Sequence, residues 1–192
     1  TVGEDMELVI RMHKYMRESK IPYKVAYIPD PLCWTEAPNN NQILGRQRNR
    51  WTRGTIECLW MHKNMFLNPK YGILGLLSYP YWLFAEWMAS LIEAGGYIFV
   101  LVVIVFKLIN WKFFVVLSIF VYFYAVFLTI LSLTTQQFMY GKFKRTKDIL
   151  SLCLTAFLEP IFYHPRTVYW AIKGNFDKIF KNNHSWGAMT RT

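Results

Sequence analysis

The residues with the clearest chemical potential lie in residues 42–54, a basic run whose Gln, Leu and Arg content favours a helix. Eight consecutive residues of this run contain four arginines: Arg46, Arg48, Arg50 and Arg53. A guanidinium group presents fixed N–H donors that match phosphate oxygens. The run therefore predicts either an anion-binding site or, more simply, a solvated basic helix face beside a membrane. Trp51, directly after Arg50, is less expected on a purely solvated face.

A second candidate lies near the start of the chain. Apolar residues recur every three or four positions over residues 4–19, which predicts an amphipathic helix. Glu4 and Asp5 then lie in its first turn, where the helix dipole stabilises acidic side chains. The pair is either only a favourable helix start, or Asp5 is a general base. Taken alone, the pair favours the first interpretation.

The segment between these two candidates sets the expected fold. Pro22 ends the first helix, because the residue before a proline is pushed out of the helical region. Residues 23–28 are β-branched and aromatic and predict a short strand, closed by Pro29 and Pro31. A helix followed by a strand favours an α/β fold. Residues 39–41, all Asn, supply N-cap candidates for the helix that carries the arginines.

In order and spacing, three motifs resemble those of the membrane-embedded processive glycosyltransferases of the family-2 type: cellulose, hyaluronan and poly-N-acetylglucosamine synthases. The motifs are Glu-Asp at 4–5, Thr-Glu-Ala-Pro at 35–38 and Gln-Arg-Asn-Arg-Trp at 47–51, followed by hydrophobic helices. The resemblance covers nearly the whole chain, as the C-terminal half of such an enzyme. It implies an α/β fold, the C-terminal part of a GT-A nucleotide-sugar transferase domain with an interfacial helix, over residues 1–70. Transmembrane helices and a basic amphipathic tail would follow over residues 71–192.

The resemblance also implies roles for individual residues. Asp5 would take the proton from the acceptor sugar hydroxyl. Gln47 and Arg50 would hold the nucleotide diphosphate, and Trp51 would stack under the terminal acceptor sugar. These roles agree with the side-chain chemistry, because an indole suits the apolar face of a sugar and a departing diphosphate needs fixed donors and cations. Glu4 and Arg48 would support the site.

Two departures from the family pattern bear on activity. Gly3 stands where the family usually has Thr. The family's Asp-x-Asp motif, which holds a divalent metal and the diphosphate, precedes the Glu-Asp motif and is absent from these residues. The resemblance thus implies Mg²⁺ or Mn²⁺ held mainly by residues outside this chain, with no metal ligands in the chain itself. The chain begins without a Met and is expected to be a piece of a longer protein, inactive by itself. The resemblance also implies that sugar transfer inverts the configuration at the anomeric carbon.

The second half of the chain has membrane-length apolar segments. Residues 113–131 are nineteen residues without a charge, long enough to span a hydrocarbon core of about 30 Å. Residues 71–109 predict two further segments with a break near Gly95 and Gly96, one of them re-entrant. Residues 149–170 are a weaker candidate. Residues 55–67 predict an amphipathic helix on the membrane surface or, alternatively, a buried connecting helix. The sequence thus predicts an integral protein of the plasma or inner membrane with its catalytic part in the cytoplasm.

Three acids and the tail admit more than one interpretation. Glu86, Glu93 and Glu159 stand in apolar sequence and either line a polymer pathway or lie at interfacial helix ends. Residues 171–192 interleave lysines with apolar residues, which predicts a basic amphipathic helix that binds anionic lipid. No catalytic role is assigned to this tail.

The cysteines and histidines predict no metal or disulfide chemistry. Cys33, Cys58 and Cys153 share no metal-type spacing and are interpreted as reduced packing residues. The four histidines are scattered and are interpreted as structural or surface residues.

The net charge of +10 narrows the possible partners. Nucleic acid is a poor explanation, because the basic residues flank apolar segments and no nucleic-acid fold signature accompanies them. The favoured function is sugar transfer from a UDP-sugar to a growing polysaccharide at the lipid bilayer, with an accessory membrane subunit as a possible partner. One alternative is an enzyme that adds a single sugar to a lipid acceptor. The other is a non-enzymatic membrane transport or assembly subunit whose arginines bind lipid headgroups.

Overall fold

The structure is a computed structural model that describes residues 1–26, 28, 33, 35–141 and 145–181. All regular secondary structure in these ranges is helical. The α-helices are α1 Glu4–Glu18, α2 Asn41–Met61, α3 Tyr79–Tyr81, α4 Met88–Val105, α5 Trp111–Tyr140, α6 Thr146–Leu158 and α7 His164–Lys181. Short 3₁₀ turns cover Lys63–Met65 and Pro69–Tyr71, and π-helical turns cover Leu74–Ser78, Trp82–Trp87 and Glu159–Tyr163.

The predicted α/β fold is wrong for the described residues. Tyr23 to Ala26 and Ile28 form no strand, and no strand occurs elsewhere in the described ranges. A single extended segment has no neighbour with which to pair its backbone N–H and C=O groups, so β-branched and aromatic composition alone does not produce a sheet. The helix predicted over residues 4–19 is confirmed, since α1 covers Glu4–Glu18.

Helix α2 is the central element of the candidate site. Asn40 is its N-cap, as predicted, and its Oδ1 accepts a hydrogen bond from the Ile43 backbone N–H at 2.8 Å. The helix continues without a break through residues 47–51 as far as Met61. The predicted amphipathic stretch over residues 55–67 is therefore the end of α2 followed by a 3₁₀ turn, rather than a helix of its own.

The chain divides into two compact units. The first unit contains residues 1–94 together with α7 from Tyr169 onward. Its buried apolar residues are Val2, Cys58, Leu59, Met65 and Tyr71. The second unit contains residues 95–168, in which α5 packs against α6. There the Tyr122 hydroxyl donates to the Phe157 carbonyl oxygen at 2.9 Å.

Two helical segments of the described chain, Leu74–Val105 and Trp111–Tyr140, are long and apolar enough to cross a membrane. The second contains the predicted apolar segment over residues 113–131, and Gly141 ends it in the left-handed conformation at φ +56°. Membrane crossing itself stays a prediction.

The predicted break at Gly95 and Gly96 is wrong, because α4 runs through both glycines. A glycine costs a helix about 1 kcal/mol relative to alanine, which is too little to interrupt an otherwise continuous hydrogen-bond ladder. The irregularity lies instead around Pro80, which has π-helical turns on both sides. Proline has no N–H to donate and its ring crowds the preceding turn, so the helix widens there.

Candidate functional site

Helix α2 presents two opposite faces, each packed against a different helix. A helix turns by about 100° per residue, so residues spaced by three, four or seven share a face. One face carries Gln47, Arg50, Gly54 and Cys58, and α1 begins against its last two residues. The other carries Gly45, Asn49 and Thr52, which contact α7. The predicted diphosphate residues therefore share the face on which α1 begins.

The start of α1 lies against α2 at a close approach of two glycines. Gly3, the N-cap of α1, lies against Gly54 so closely that a Cβ added to Gly54 would be 2.9 Å from the Gly3 Cα. The Cys58 thiol donates to the Gly3 carbonyl oxygen at 3.6 Å. Because Asp5 follows Gly3 by two residues and Gly54 follows Trp51 by three, this contact brings the Glu-Asp motif and the Gln-Arg-Asn-Arg-Trp motif into one part of the first unit.

The two acids of the first motif are open to solvent. Glu4 and Asp5 are exposed in the first turn of α1, which is where the sequence predicts them. The Asp5 Oδ1 accepts a hydrogen bond from the Met6 backbone N–H at 2.9 Å. An exposed carboxylate held by a helix N-terminus is accessible to a substrate hydroxyl. Its role as a base stays a prediction.

Trp51 combines an exposed surface with a fixed orientation. Its side chain is 49% exposed, and the Arg48 guanidinium carbon lies 4.8 Å from the centroid of the indole. A cation over the face of an indole is attracted by the ring quadrupole and restrains the ring. Gln47 and Arg50 are half-buried beside them. Arg48 thus supports Trp51 by direct contact, and the exposed indole surface is suited to the apolar face of a sugar.

A buried ion pair with no signal in the local sequence ties three segments together. Glu57 accepts hydrogen bonds from the Lys178 ammonium at 2.7 Å and from the Val2 backbone N–H at 2.9 Å. Burial alone would raise the pKa of Glu57, but hydrogen bonds from Lys178, Thr1 and Val2 outweigh it and lower the pKa to about 2. Glu57 and Lys178 lie 121 residues apart, so no local spacing in the sequence relates them.

Helix α7 packs along the opposite face of α2. Asn49 donates from Nδ2 to Asp177 at 2.9 Å and accepts from the Arg53 Nε at 3.0 Å. Trp170 covers Gly45, where a Cβ would meet the indole nitrogen at 2.6 Å. The segment predicted as a lipid-binding tail therefore also supports the helix that carries the motif. Its other face leaves Phe176, Ile179 and Phe180 exposed, and binding to lipid stays a prediction.

One histidine connects α1 with the end of α2, and the structural role expected for the histidines stays a prediction. His62 is buried, and its Nε2 lies 3.3 Å from the Glu7 Oε1. Burial lowers the pKa of His62, although the hydrogen bond with Glu7 acts in the opposite direction. The pair links the end of α2 to the first turn of α1.

Within residues 1–26, 28, 33, 35–141 and 145–181, no group of three or more His, Cys, Asp or Glu side chains could hold a metal ion. The side chains described here therefore do not fit a divalent-metal site of their own. The expected Mg²⁺ or Mn²⁺ stays a prediction that concerns residues outside this chain.

Comparison with known proteins identifies the family. The family model described as "Glycosyl transferase family group 2" matches residues 1–128. This range includes α1, α2, the whole of the membrane-length segment Leu74–Val105 and the first part of Trp111–Tyr140. A stretch of 60 residues, 31% of this chain, is 42% identical to chitin synthase A of Colletotrichum graminicola and spans 3% of that protein's length. No solved structure matches the chain. The match over two thirds of its residues shows that this chain belongs to glycosyl transferase family group 2.

Proposed function

We propose that this chain is part of a membrane-embedded polysaccharide synthase of the cellulose, hyaluronan and poly-N-acetylglucosamine synthase type. The enzyme transfers a sugar from a UDP-sugar to a growing polysaccharide. The observation that carries the proposal is the contact between Gly3 and Gly54, which joins the Glu-Asp turn of α1 to the face of α2 that carries Gln47 and Arg50. Membership of the family supplies the reaction class, and similarity to a chitin synthase supports a polymeric product.

In the proposed reaction the Asp5 carboxylate takes the proton of the acceptor hydroxyl. The hydroxyl oxygen forms a bond to the anomeric carbon as the bond from that carbon to the diphosphate oxygen breaks, and UDP leaves with the electron pair. Gln47 and Arg50 stabilise the negative charge that builds on the diphosphate. Attack from the side opposite the leaving group inverts the anomeric carbon.

The proposed setting is the plasma or inner membrane, with residues 1–70 on the cytoplasmic side. The segments Leu74–Val105 and Trp111–Tyr140 have the length and composition for a membrane region, which supports this setting. The bilayer and the polysaccharide are then direct partners of the protein, and an accessory membrane subunit is a further one.

Trp51→Ala is expected to lower polymer elongation roughly fivefold, while hydrolysis of the donor stays near the wild-type rate. The exposed indole is the surface proposed to stack on the acceptor sugar, and a stacking contact of this kind contributes about 1 kcal/mol. The measurement compares polymer formed with free sugar released by the full-length enzyme in membranes. Trp60→Ala is the matched control, because Trp60 is also exposed and also has a cation over its ring, the Lys63 ammonium at 4.8 Å. Equal losses in both variants would contradict the acceptor role of Trp51.

The proposed function is tested by incubating the full-length enzyme in membrane vesicles with a panel of UDP-sugars and Mg²⁺ or Mn²⁺, and by separating the products by size. Polymer made from one donor supports the proposal and identifies the sugar. If the product is instead a lipid that has gained one sugar, the proposal is wrong and the protein is an enzyme that adds a single sugar to a lipid. If a folded protein turned over no donor, the proposal would be wrong, and the arginines would be tested for binding to lipid headgroups instead.

A further inference from the structure

We infer that Gly54 is a positioning residue for the transfer reaction. In this inference, the missing side chain at position 54 lets the start of α1 approach α2 closely enough for Asp5 to reach a sugar held beside Arg50 and Trp51. The inference rests on the proposed function and adds to it a residue outside the motifs.

The contact leaves no room for a methyl group on Gly54 and little room for one on Gly3. A Cβ on Gly54 would lie 2.9 Å from the Gly3 Cα and 3.0 Å from the Gly3 nitrogen. A Cβ on Gly3 would lie 3.0 Å from the Gly54 Cα. Each obstacle is backbone, so no side-chain rotation can relieve the overlap. Restoring an ordinary carbon–carbon separation of about 3.5–4.0 Å requires the start of α1 to move by roughly 1 Å.

Hydrogen bonds on both sides of the Gly3–Gly54 contact determine which part of the chain moves. The Val2 backbone N–H is held by Glu57 at 2.9 Å, and Glu7 is held by His62 at 3.3 Å. These links attach Val2, just before α1, to Glu57 of α2, and Glu7 of α1 to His62, the C-cap of α2. A methyl group at position 54 therefore pushes against a segment that is restrained before and after it. The displacement is concentrated between Val2 and Glu7, a segment that carries Asp5.

Binding and chemistry should respond differently to this displacement. Gln47 and Arg50 belong to α2 itself, in which Ala is at least as favourable as Gly, so they keep their positions. The carboxylate of Asp5 moves relative to them. A misplacement of about 1 Å between reacting groups lowers a rate by on the order of 100-fold. A merely structural role of Gly54 would instead weaken UDP binding and turnover together.

The test uses Gly54→Ala in the full-length enzyme in membranes, with UDP affinity and kcat measured separately. We expect kcat to fall at least tenfold while the Kd for UDP stays within about twofold of wild type. Gly95→Ala is the control, because a Cβ at that position would meet no atom within 4 Å other than the adjacent backbone of its own helix, and it should change neither quantity. If Gly54→Ala does not accumulate, Gly3→Ala tests the same contact from the other helix.

A second readout follows the contact without activity. Cys58 is 1% exposed and its thiol donates to the Gly3 carbonyl oxygen, so a displaced α1 should expose it. With the other cysteines replaced by serine, Gly54→Ala should react faster with a thiol reagent than the parent does. Unchanged labelling would overturn the inference, because α1 would not have moved.

The kinetic outcomes separate this inference from the proposed function. Polymer synthesis by wild type together with a normal kcat in Gly54→Ala would leave the function standing and overturn the positioning role. A parallel loss of UDP affinity and kcat would overturn it in favour of a general structural role. If the wild-type enzyme transfers no sugar, both the proposed function and this inference are wrong.

Discussion

Replacing Asp5 with asparagine is expected to abolish sugar transfer by the intact enzyme while UDP binding is retained. Asparagine preserves the size of the side chain and an oxygen that can accept the Met6 backbone N–H, as Asp5 does at 2.9 Å. It does not accept a proton from the acceptor hydroxyl. Loss of a general base lowers a rate by about 10²–10⁴-fold. The measurement is incorporation of labelled sugar into polymer, with UDP binding followed by calorimetry.

Asp148→Asn is the matched control for this experiment. Asp148 is also an exposed acid in the first turn of a helix, α6, and it lies in the other compact unit. Any effect of removing a first-turn carboxylate from a helix dipole is therefore common to both variants. Transfer by Asp5→Asn at a rate within about threefold of Asp148→Asn would contradict the assignment of Asp5 as the base.

Lys178→Met is expected to destabilise the protein by about 3 kcal/mol, because it leaves the Glu57 carboxylate buried without its cation. The Lys178 side chain is 17% exposed and that of Glu57 only 7%. Lys181→Met is the control: Lys181 pairs with Asp177 at 2.9 Å but is 61% exposed, and such a pair contributes less than about 1 kcal/mol. The midpoint of thermal inactivation of the purified enzyme should fall clearly further for Lys178→Met. Equal shifts would show that the buried pair adds nothing beyond a surface one.

The same carboxylate predicts how stability depends on pH. The pKa of Glu57 falls from 4.5 to about 2 on folding, so its contribution is complete above about pH 4.5 and is lost as the pH decreases toward 2. A change of this size corresponds to about 3 kcal/mol. Glu57→Gln should therefore lose less stability than wild type between pH 5 and pH 2, which acid denaturation monitored by tryptophan fluorescence can measure. Parallel curves would contradict the low pKa.

Features with a local cause could be predicted from the sequence. Asn40 caps α2 because an Asn side chain satisfies a free N–H of the first turn, and Glu4–Glu18 is helical because its apolar residues repeat with the helical period. The uncharged residues 113–131 lie inside one long helix, in which every backbone group of an apolar segment finds a partner within the segment. Exposure of Asp5 and Trp51 agrees with their predicted contact with a substrate, although their roles stay predictions.

Predictions were wrong or missing where the structure depends on a distant segment of the chain or on a balance between two opposing energies. The composition of residues 23–28 favours a strand, yet a strand forms only beside another one, and the described chain offers none. Gly95 and Gly96 weaken a helix locally, but the continuous hydrogen-bond ladder of α4 is worth more than their cost. The ion pair of Glu57 and Lys178 had no signal at all in the sequence.

The sequence by itself determined the helices that bear the motifs and the apolar segments, because each of these depends on neighbours within a few positions. The residues proposed for catalysis came from the resemblance of the motifs to the family. Only the tertiary structure decided that α1 begins against α2 at Gly3 and Gly54, and that α7 supports the opposite face through Asp177 and Lys178. Those contacts join positions from about 50 to 130 residues apart. These contacts form because of close packing and burial, which arise only when the chain has folded.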